Sequence, residues 1–333
     1  MGLAPLKTGQ EQLVRPISAC PACRSARRTL FVLRGYPIVQ CPRCLLAQTL
    51  NAEIVPEEFY DRDYFHAPLR QGRTCAPKGY DDYVRVASAA SRTYRFRLLR
   101  LRRCCPAGRT LLDVGCGCGF FLRAAQRDGW DGWGLEVSQY ASGYAREKLG
   151  LPVITGTVEA CSLAGLLPRF DAVTLWDVLE HLPDPAEALR LLADELAPGG
   201  VLAFSTTDIG TLAARLSGPR WHLLNLPEHL WFFSTASLER LVRGAGLRTI
   251  RRRYEVCWYP LAYLAERLTV MLRGPAAAPP ELPERLARLT VPFSFFDIVT
   301  VYAAKRGREL IPKTGATGSL PARPLADKPP VAP

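Results

Sequence analysis

Two sets of residues in this 333-residue chain have types and spacings that could do chemistry. The first is Cys20-Pro-Ala-Cys23 and Cys41-Pro-Arg-Cys44, two C-x-x-C pairs with seventeen residues between them. Each pair can fold into a tight knuckle offering two thiolates, and two knuckles make a tetrahedral sulfur site suited to zinc. Four sulfurs leave no open coordination position, so the zinc expected here is structural. The second is the string from Leu111 to Leu122, in which an apolar run ends in Asp113. Gly115, Gly117 and Gly119 then line a turn that opens a helix. Glycine lets backbone pass close under a ligand where a Cβ would collide. The spacing is G-x-G-x-G, not the G-x-G-x-x-G of dinucleotide sites. Glu136 ends the next apolar run, where a carboxylate can accept both hydroxyls of a ribose.

Histidine is scarce: His66, His181, His222 and His229 are the full set. His181 follows the apolar run that starts at Phe170. His229 lies in Pro227-Glu-His-Leu-Trp-Phe-Phe-Ser234, with Trp221 and His222 nearby. Both segments are expected to leave the carboxyl edge of a parallel sheet, where ligand crevices open. A histidine near neutral pKa suits a general base there, and Glu228 is placed to orient His229.

These residues need a scaffold, and the pattern of residues 109–304 supplies one. Short apolar runs alternate with amphipathic stretches, the βαβ signature of a parallel sheet. Strands are expected at Thr110–Val114, Gly132–Val137, Pro152–Thr155, Asp171–Trp176 and Val201–Thr206, with Leu247–Tyr254 and Asp297–Ala304 completing the sheet. Phe120–Asp128 and Pro185–Leu196 read as helices, and Ala197-Pro-Gly-Gly200 as a helix stop. The fold class is therefore α/β, a Rossmann-like seven-stranded sheet with helices on both faces and a small N-terminal zinc ribbon. The expected organisation is a ribbon at 15–50, a helical linker or cap at 51–108, and the sheet domain at 109–304. Helical insertions are expected near 207–245 and 256–290, and a disordered tail, without periodicity, at 305–333.

Charge and composition narrow the class. Residues 1–110 carry nineteen Lys/Arg against eight Asp/Glu, and residues 111–304 carry eighteen against twenty-one, so the net +12 sits outside the sheet domain. The longest uncharged run, Leu196 to Thr207, is twelve residues, short of the ~20 that a membrane span needs. No signal peptide is read at the N-terminus. Eleven cysteines point to a reducing, cytoplasmic setting.

The loop from Leu111 to Leu122 together with Glu136 resembles the class I S-adenosylmethionine-dependent methyltransferases, over about residues 109–304. The resemblance implies S-adenosyl-L-methionine as cofactor, with Asp113 and Gly115, Gly117 and Gly119 at its methionine end and Glu136 at its ribose. Thr157 stands where the family often has an acid facing the adenine. Trp176 and Asp177 would lie over the cofactor, and Leu179, Glu180 and His181 near the substrate side. The ribbon, Tyr60-Asp-Arg-Asp-Tyr-Phe65 and Glu-His-x-x-Phe-Phe-Ser are similar to a narrower zinc-ribbon group that includes sugar-nucleotide C-methyltransferases. That likeness implies Glu228 and His229 as an active-site pair and Tyr64 or Tyr60 near cofactor and substrate. The acceptor expected is a small molecule: a sugar, a lipid-like compound or a secondary metabolite. Two other functions fit parts of the chain. One is an RNA methyltransferase gripping phosphates with Arg85, Arg92, Arg95, Arg97, Arg100, Arg102 and Arg103. The other is a catalytically silent cofactor-binding scaffold. Trp258–Arg273 reads as an amphipathic helix, which suits packing on the core or on a dimer partner, or peripheral membrane contact.

Overall fold

A computed structural model describes residues 19–52, 54–66, 90–163, 169–274, 277–287 and 289–305. Arg85, the start of the ribbon region and the tail beyond Lys305 lie outside these residues. The described chain begins with β1 (Arg28–Leu33), β2 (Tyr36–Gln40) and β3 (Ala47–Thr49), then α1 (Pro56–Phe59), α2 (Arg62–His66) and α3 (Ser91–Cys104). The βα alternation follows: β4 (Thr110–Val114), α4 (Phe120–Arg127), β5 (Asp131–Glu136), α5 (Gln139–Leu149), β6 (Val153–Thr155), α6 (Val158–Leu163) and β7 (Phe170–Trp176). After a 3-10 turn at Leu179–His181 come α7 (Pro185–Glu195), β8 (Leu196–Thr207), α8 (Leu212–Ser217), β9 (Trp231–Phe232), α9 (Thr235–Gly244) and β10 (Leu247–Tyr254). The chain closes with β11 (Cys257–Pro260), α10 (Leu261–Arg273), α11 (Glu284–Ala287), β12 (Thr290–Phe293) and β13 (Ile298–Lys305).

Seven strands form one sheet in the order β10-β13-β8-β7-β4-β5-β6. β4 to β8 pair in parallel, and β13 runs antiparallel to both β8 and β10. Strands covered on both faces read as continuous apolar runs, and the strict alternation of side chains divides them between two cores. Leu112, Val114, Val173, Leu175, Leu202 and Phe204 pack with α7 and α9 on one face. Leu111, Ala172, Val201, Ala203 and Tyr302 pack with α3, α4 and α5 on the other. Strand order reverses between β4 and β7, so the crevice opens at their carboxyl ends.

The Ala197-Pro-Gly-Gly200 segment is part of a strand rather than a free turn. Leu196 pairs with Phe170 and Val201 with Ala172, so four residues of β8 bulge opposite one of β7. The N-terminal unit is a ribbon whose β1–β2 hairpin turns at Arg34 and Gly35, both at positive φ (52° and 83°), the geometry of a type I′ turn. Its four-stranded sheet runs β1-β2-β3-β9, so a strand from the first insertion completes the ribbon.

Both insertions hold helices, α8 and α9 in the first and α10 and α11 in the second, and add short strands. The first gives β9 to the ribbon, and the second holds the antiparallel β11–β12 pair around α10. Two-residue and four-residue strands are too short to show a period, which is why the pattern missed them. The expected helix at Trp258–Arg273 starts at Leu261, with Leu264 buried and Leu272 74% exposed. No described helix is long and apolar enough to cross a membrane.

The bulge makes a testable contrast. A Cβ on Gly200 would lie 2.9 Å from the Ala197 carbonyl oxygen and 3.1 Å from that of Phe170. Gly199 has φ +79° with open space around it. Gly200→Ala should therefore cost roughly 1–3 kcal/mol by overpacking, and Gly199→Ala about 1 kcal/mol through backbone strain alone. Urea unfolding checks this, and the reverse order would contradict the bulge.

Candidate functional site

The glycine turn lies between the ends of β4 and β5. Leu135 carbonyl accepts from Gly115 N–H (2.7 Å), and Glu136 Oε2 accepts from Gly117 N–H (2.8 Å). Glu136 Oε1 accepts from Ser138 N–H (2.9 Å), so this carboxylate is pinned while each oxygen keeps a lone pair. Gly115 and Gly119 have φ of 65° and 83°, and a Cβ on either would stand 2.5 Å from Val178 or Leu151. Only glycine fits both demands. Asp113, one strand over, is buried and accepts from Thr174 Oγ1 at 2.7 Å. Burial pushes its carboxyl up to about 7, against the pull of Thr174 and Arg97. Burial likewise raises Glu136, against its backbone donors. Two costly carboxylates at adjacent strand ends suit a ligand bringing hydroxyls and an ammonium. Thr157 is used locally: its Oγ1 accepts from Ala160 N–H (3.2 Å) at the start of α6.

On the other side of the crevice, Trp176 ends β7 with Arg97 stacked on its ring at 4.3 Å and Phe121 against its edge. Arg97 is 5% exposed and reaches Asp177 (3.6 Å), Glu255 (3.7 Å) and Ser205 (3.3 Å). Burial works against its charge, and Asp177, Cys257 and Glu255 outweigh it and keep it protonated. Asp177 is held at φ 58°, strained for a non-glycine residue, with Ser205 Oγ donating to its Oδ1 (2.8 Å). This alters the phosphate footprint expected along α3. Arg100 pairs with Glu255 (2.7 Å), and Arg102 pairs with Asp128 and stacks on Trp130. Arg92, Arg95 and Arg103 remain exposed, with Arg92 stacked on Trp258.

Beyond β7, the 3-10 turn brings His181 to His229, their rings 4.8 Å apart and nearly perpendicular. His181 Nδ1 is 2.9 Å from the Glu228 carbonyl oxygen and 3.0 Å from the Tyr60 hydroxyl. Burial lowers His181 to about 4, and burial and then His181 lower His229 well below the usual imidazole range, so both rings are uncharged at neutral pH. Glu180 is buried, accepts from Thr206 Oγ1 (2.8 Å), and is raised to about 8 by burial and then by Asp177. One ligand-type atom from each of Glu180, His181 and His229 lies within 4.8 Å of the others, a grouping that could hold a cation. The carboxyl group standing with His229 is thus Glu180, whereas Glu228 meets His181 through its backbone carbonyl. His229 Nε2 faces Asn225 (3.4 Å), and its Nδ1 has no hydrogen-bond partner among the described residues.

Of the two candidate tyrosines, Tyr60 makes the contact to a histidine. Tyr64 is buried beside it, its ring 4.8 Å from that of Tyr60. Both pack with Cys118 and Phe120 of the glycine turn, so this aromatic cluster joins the turn to His181. Thr206 and Asn225 carried no motif and were not legible in sequence, and Arg97 was legible only as one of a run of arginines, not as a group of this crevice.

In the ribbon, Sγ atoms of Cys20 and Cys44 are 3.5 Å apart and those of Cys23 and Cys41 3.4 Å. All four lie within 4.8 Å of one another. The ribbon is fastened to the site: Thr49 N–H donates to Leu230 O (2.9 Å) and Thr49 Oγ1 to His229 O (2.8 Å).

A family model described as a methyltransferase domain matches residues 86–251. A ubiquinone biosynthesis O-methyltransferase of Thiobacillus denitrificans is 36% identical over 165 residues, covering 45% of this chain and 71% of that protein. The corresponding protein of Methylococcus capsulatus is 34% identical over 151 residues, covering 42% of this chain and 64% of its own length. A solved Thermotoga maritima methyltransferase, described as a possible histamine N-methyltransferase, is 21% identical with a TM-score of 0.45, covering 67% of this chain and 94% of that one. The matched residues 86–251 take in the glycine turn, Asp113 and Glu136, and with the Thiobacillus denitrificans relative they show that the chain belongs to the class I S-adenosylmethionine-dependent methyltransferases.

Proposed function

We propose that the chain transfers a methyl group from S-adenosylmethionine to a hydroxyl of a small-molecule acceptor, with His181 as proton acceptor. The observation that carries this reading is the pairing of His181 Nδ1 with the Glu228 carbonyl, which can only accept. The proton therefore belongs on Nδ1, shared with the Tyr60 oxygen, and Nε2 holds the lone pair. The names of the relatives support an oxygen acceptor, as those proteins are O-methyltransferases.

When bound, S-adenosylmethionine supplies a methyl group on a sulfonium, an electrophile that needs no further activation. Asp113 would face the ammonium of the methionine end and Glu136 the ribose hydroxyls. A base as weak as His181 is sufficient for a simple reason. A hydroxyl oxygen that gains a methyl becomes a far stronger acid than an imidazolium of pKa about 4, so the proton moves downhill as the bond forms. The aromatic cluster around Tyr60 and Tyr64 would keep water from the reacting oxygen.

The four cysteines are the second part of the proposal, a structural zinc site. Tetrahedral Zn–S bonds of about 2.3 Å put sulfurs about 3.8 Å apart, and the observed 3.4–3.6 Å contacts fit that set with a small expansion.

Three outcomes test these assignments. Below about pH 7 Asp113 keeps its proton, which competes with the ammonium, so raising pH removes the competitor. Cofactor affinity, measured by calorimetry, should rise by up to about tenfold per unit between roughly pH 5.5 and 7, and Asp113→Asn should flatten the slope. A flat wild-type profile would contradict the role of Asp113. His181→Ala should cut S-adenosylhomocysteine release, assayed against small-molecule extracts, by about a hundredfold while cofactor affinity stays near wild type. Equal loss in both would make His181 a binding residue instead. Cys41→Ser should remove zinc, read by elemental analysis, and speed amide exchange at 228–234 through the β3–β9 joint, leaving the glycine turn protected. Uniform exchange across the chain would contradict that local coupling.

A further inference from the structure

Among the described residues, the three most exposed large apolar side chains are leucines, and they come from two stretches that meet. Leu212 and Leu216 are 71% and 75% exposed on α8, and Leu272 is 74% exposed near the end of α10. Leu212 and Leu216 are four residues apart and share one face of their helix, while Ala214 and Ser217 are buried on the other. A 3-10 turn at Gly218–Arg220 lies between the two helices and contacts both. A Cβ on Gly274, just past α10, would stand 3.9 Å from Arg220 Cδ, and Arg267 Nη1 of α10 donates to the His222 carbonyl (3.0 Å). The two helices are thereby held as neighbours. Single apolar residues at a surface are ordinary, whereas three leucines standing in water on adjoining elements mark a contact surface.

Charge says which partner fits. Each leucine is followed by an exposed arginine, Arg215, Arg220 and Arg273 in turn. None of these three takes part in an ion pair among the described residues. Residues 209–227 and 267–280 contain no Asp or Glu. The acids that bound these stretches are Asp208, Glu228, Glu266 and Glu281, and Asp208 is buried. A second copy of this surface would set arginine against arginine, which disfavours self-association. An anionic bilayer meets both demands at once, with hydrocarbon for the leucines and phosphate for the arginines.

We infer that this surface docks the protein on an anionic phospholipid bilayer. Leu212, Leu216 and Leu272 enter the boundary between headgroups and acyl chains, and Arg215, Arg220 and Arg273 meet lipid phosphates. α8 follows the carboxyl end of β8, which pairs with β7, so the docked surface lies at the edge of the sheet where the crevice opens. The inference goes beyond methyl transfer and does not depend on it.

The test is co-sedimentation of the full chain with vesicles of phosphatidylcholine, alone or mixed in equal parts with phosphatidylglycerol. The chain should bind the mixed vesicles, and added salt should weaken that binding by screening the arginines. Leu212→Gln combined with Leu216→Gln keeps helix propensity and removes the apolar contact. It should weaken binding to the mixed vesicles by about tenfold or more, with melting temperature and S-adenosylmethionine affinity at their wild-type values. Arg215→Ala combined with Arg220→Ala should weaken it by about fivefold for each charge removed. Adsorption through the basic N-terminal part alone would leave the leucine variant bound as tightly as the wild type, and that result overturns the inference. A wild-type chain that pellets with neither vesicle overturns it too. So does a wild-type dimer that the leucine variant turns into a monomer, because the occupant is then a second copy.

Discussion

The hydrogen bond between His181 Nδ1 and the Glu228 carbonyl is the contact on which the site depends. It joins the turn after β7 to the segment that leads into β9, two pieces of chain forty-seven residues apart. It also fixes which nitrogen of His181 is basic. The same segment runs on through His229 and Leu230, whose carbonyls are held by Thr49 of the ribbon. One backbone stretch thus links a metal-ligating type of unit to the candidate base. The ribbon then has a physical reason to be present. Through β3 and Thr49 it adds to the hold that Leu230 N–H on the Glu180 carbonyl (2.9 Å) and Trp231 Nε1–H on the Leu182 carbonyl (3.0 Å) give this loop.

Burial sets the electrostatics of the whole edge. Asp113, Glu136 and Glu180 are each raised first by desolvation, and His181 and His229 are lowered by the same cause. The site at rest is therefore close to neutral on the histidine side, and the arginine at its margin, Arg97, is matched by Asp177 and Glu255. With the histidines neutral and Arg97 paired, the carboxyl groups of Asp113 and Glu136 are the groups left to meet a cationic ligand, and a neutral acceptor needs no counter-charge on the histidine side. Pairing also explains why the abundant arginines of α3 do not make that face a simple phosphate track: Arg97, Arg100 and Arg102 are committed to internal partners.

Much of this was legible in the sequence. β4 and β7 were readable nearly to the residue because strands of a doubly covered sheet are apolar runs bounded by turn residues. The glycine turn was readable because three positive-φ positions leave little choice of residue. The rest depends on long-range contact. β9 is two residues long and acquires its meaning only by pairing with β3. Glu228 looked like the partner of His229 because it is adjacent in sequence, yet the carboxyl group beside the histidines is Glu180, forty-nine positions earlier than His229.

The base assignment is tested most directly by the long-range 15N–1H spectrum of the imidazole rings at neutral pH, with His181 identified by its alanine variant. The proton is expected on Nδ1 and the lone pair on Nε2, with the ring staying neutral down to about pH 5 because burial holds its pKa near 4. A proton on Nε2 in the resting protein, or an imidazolium already formed at about pH 6, would contradict the role given to His181.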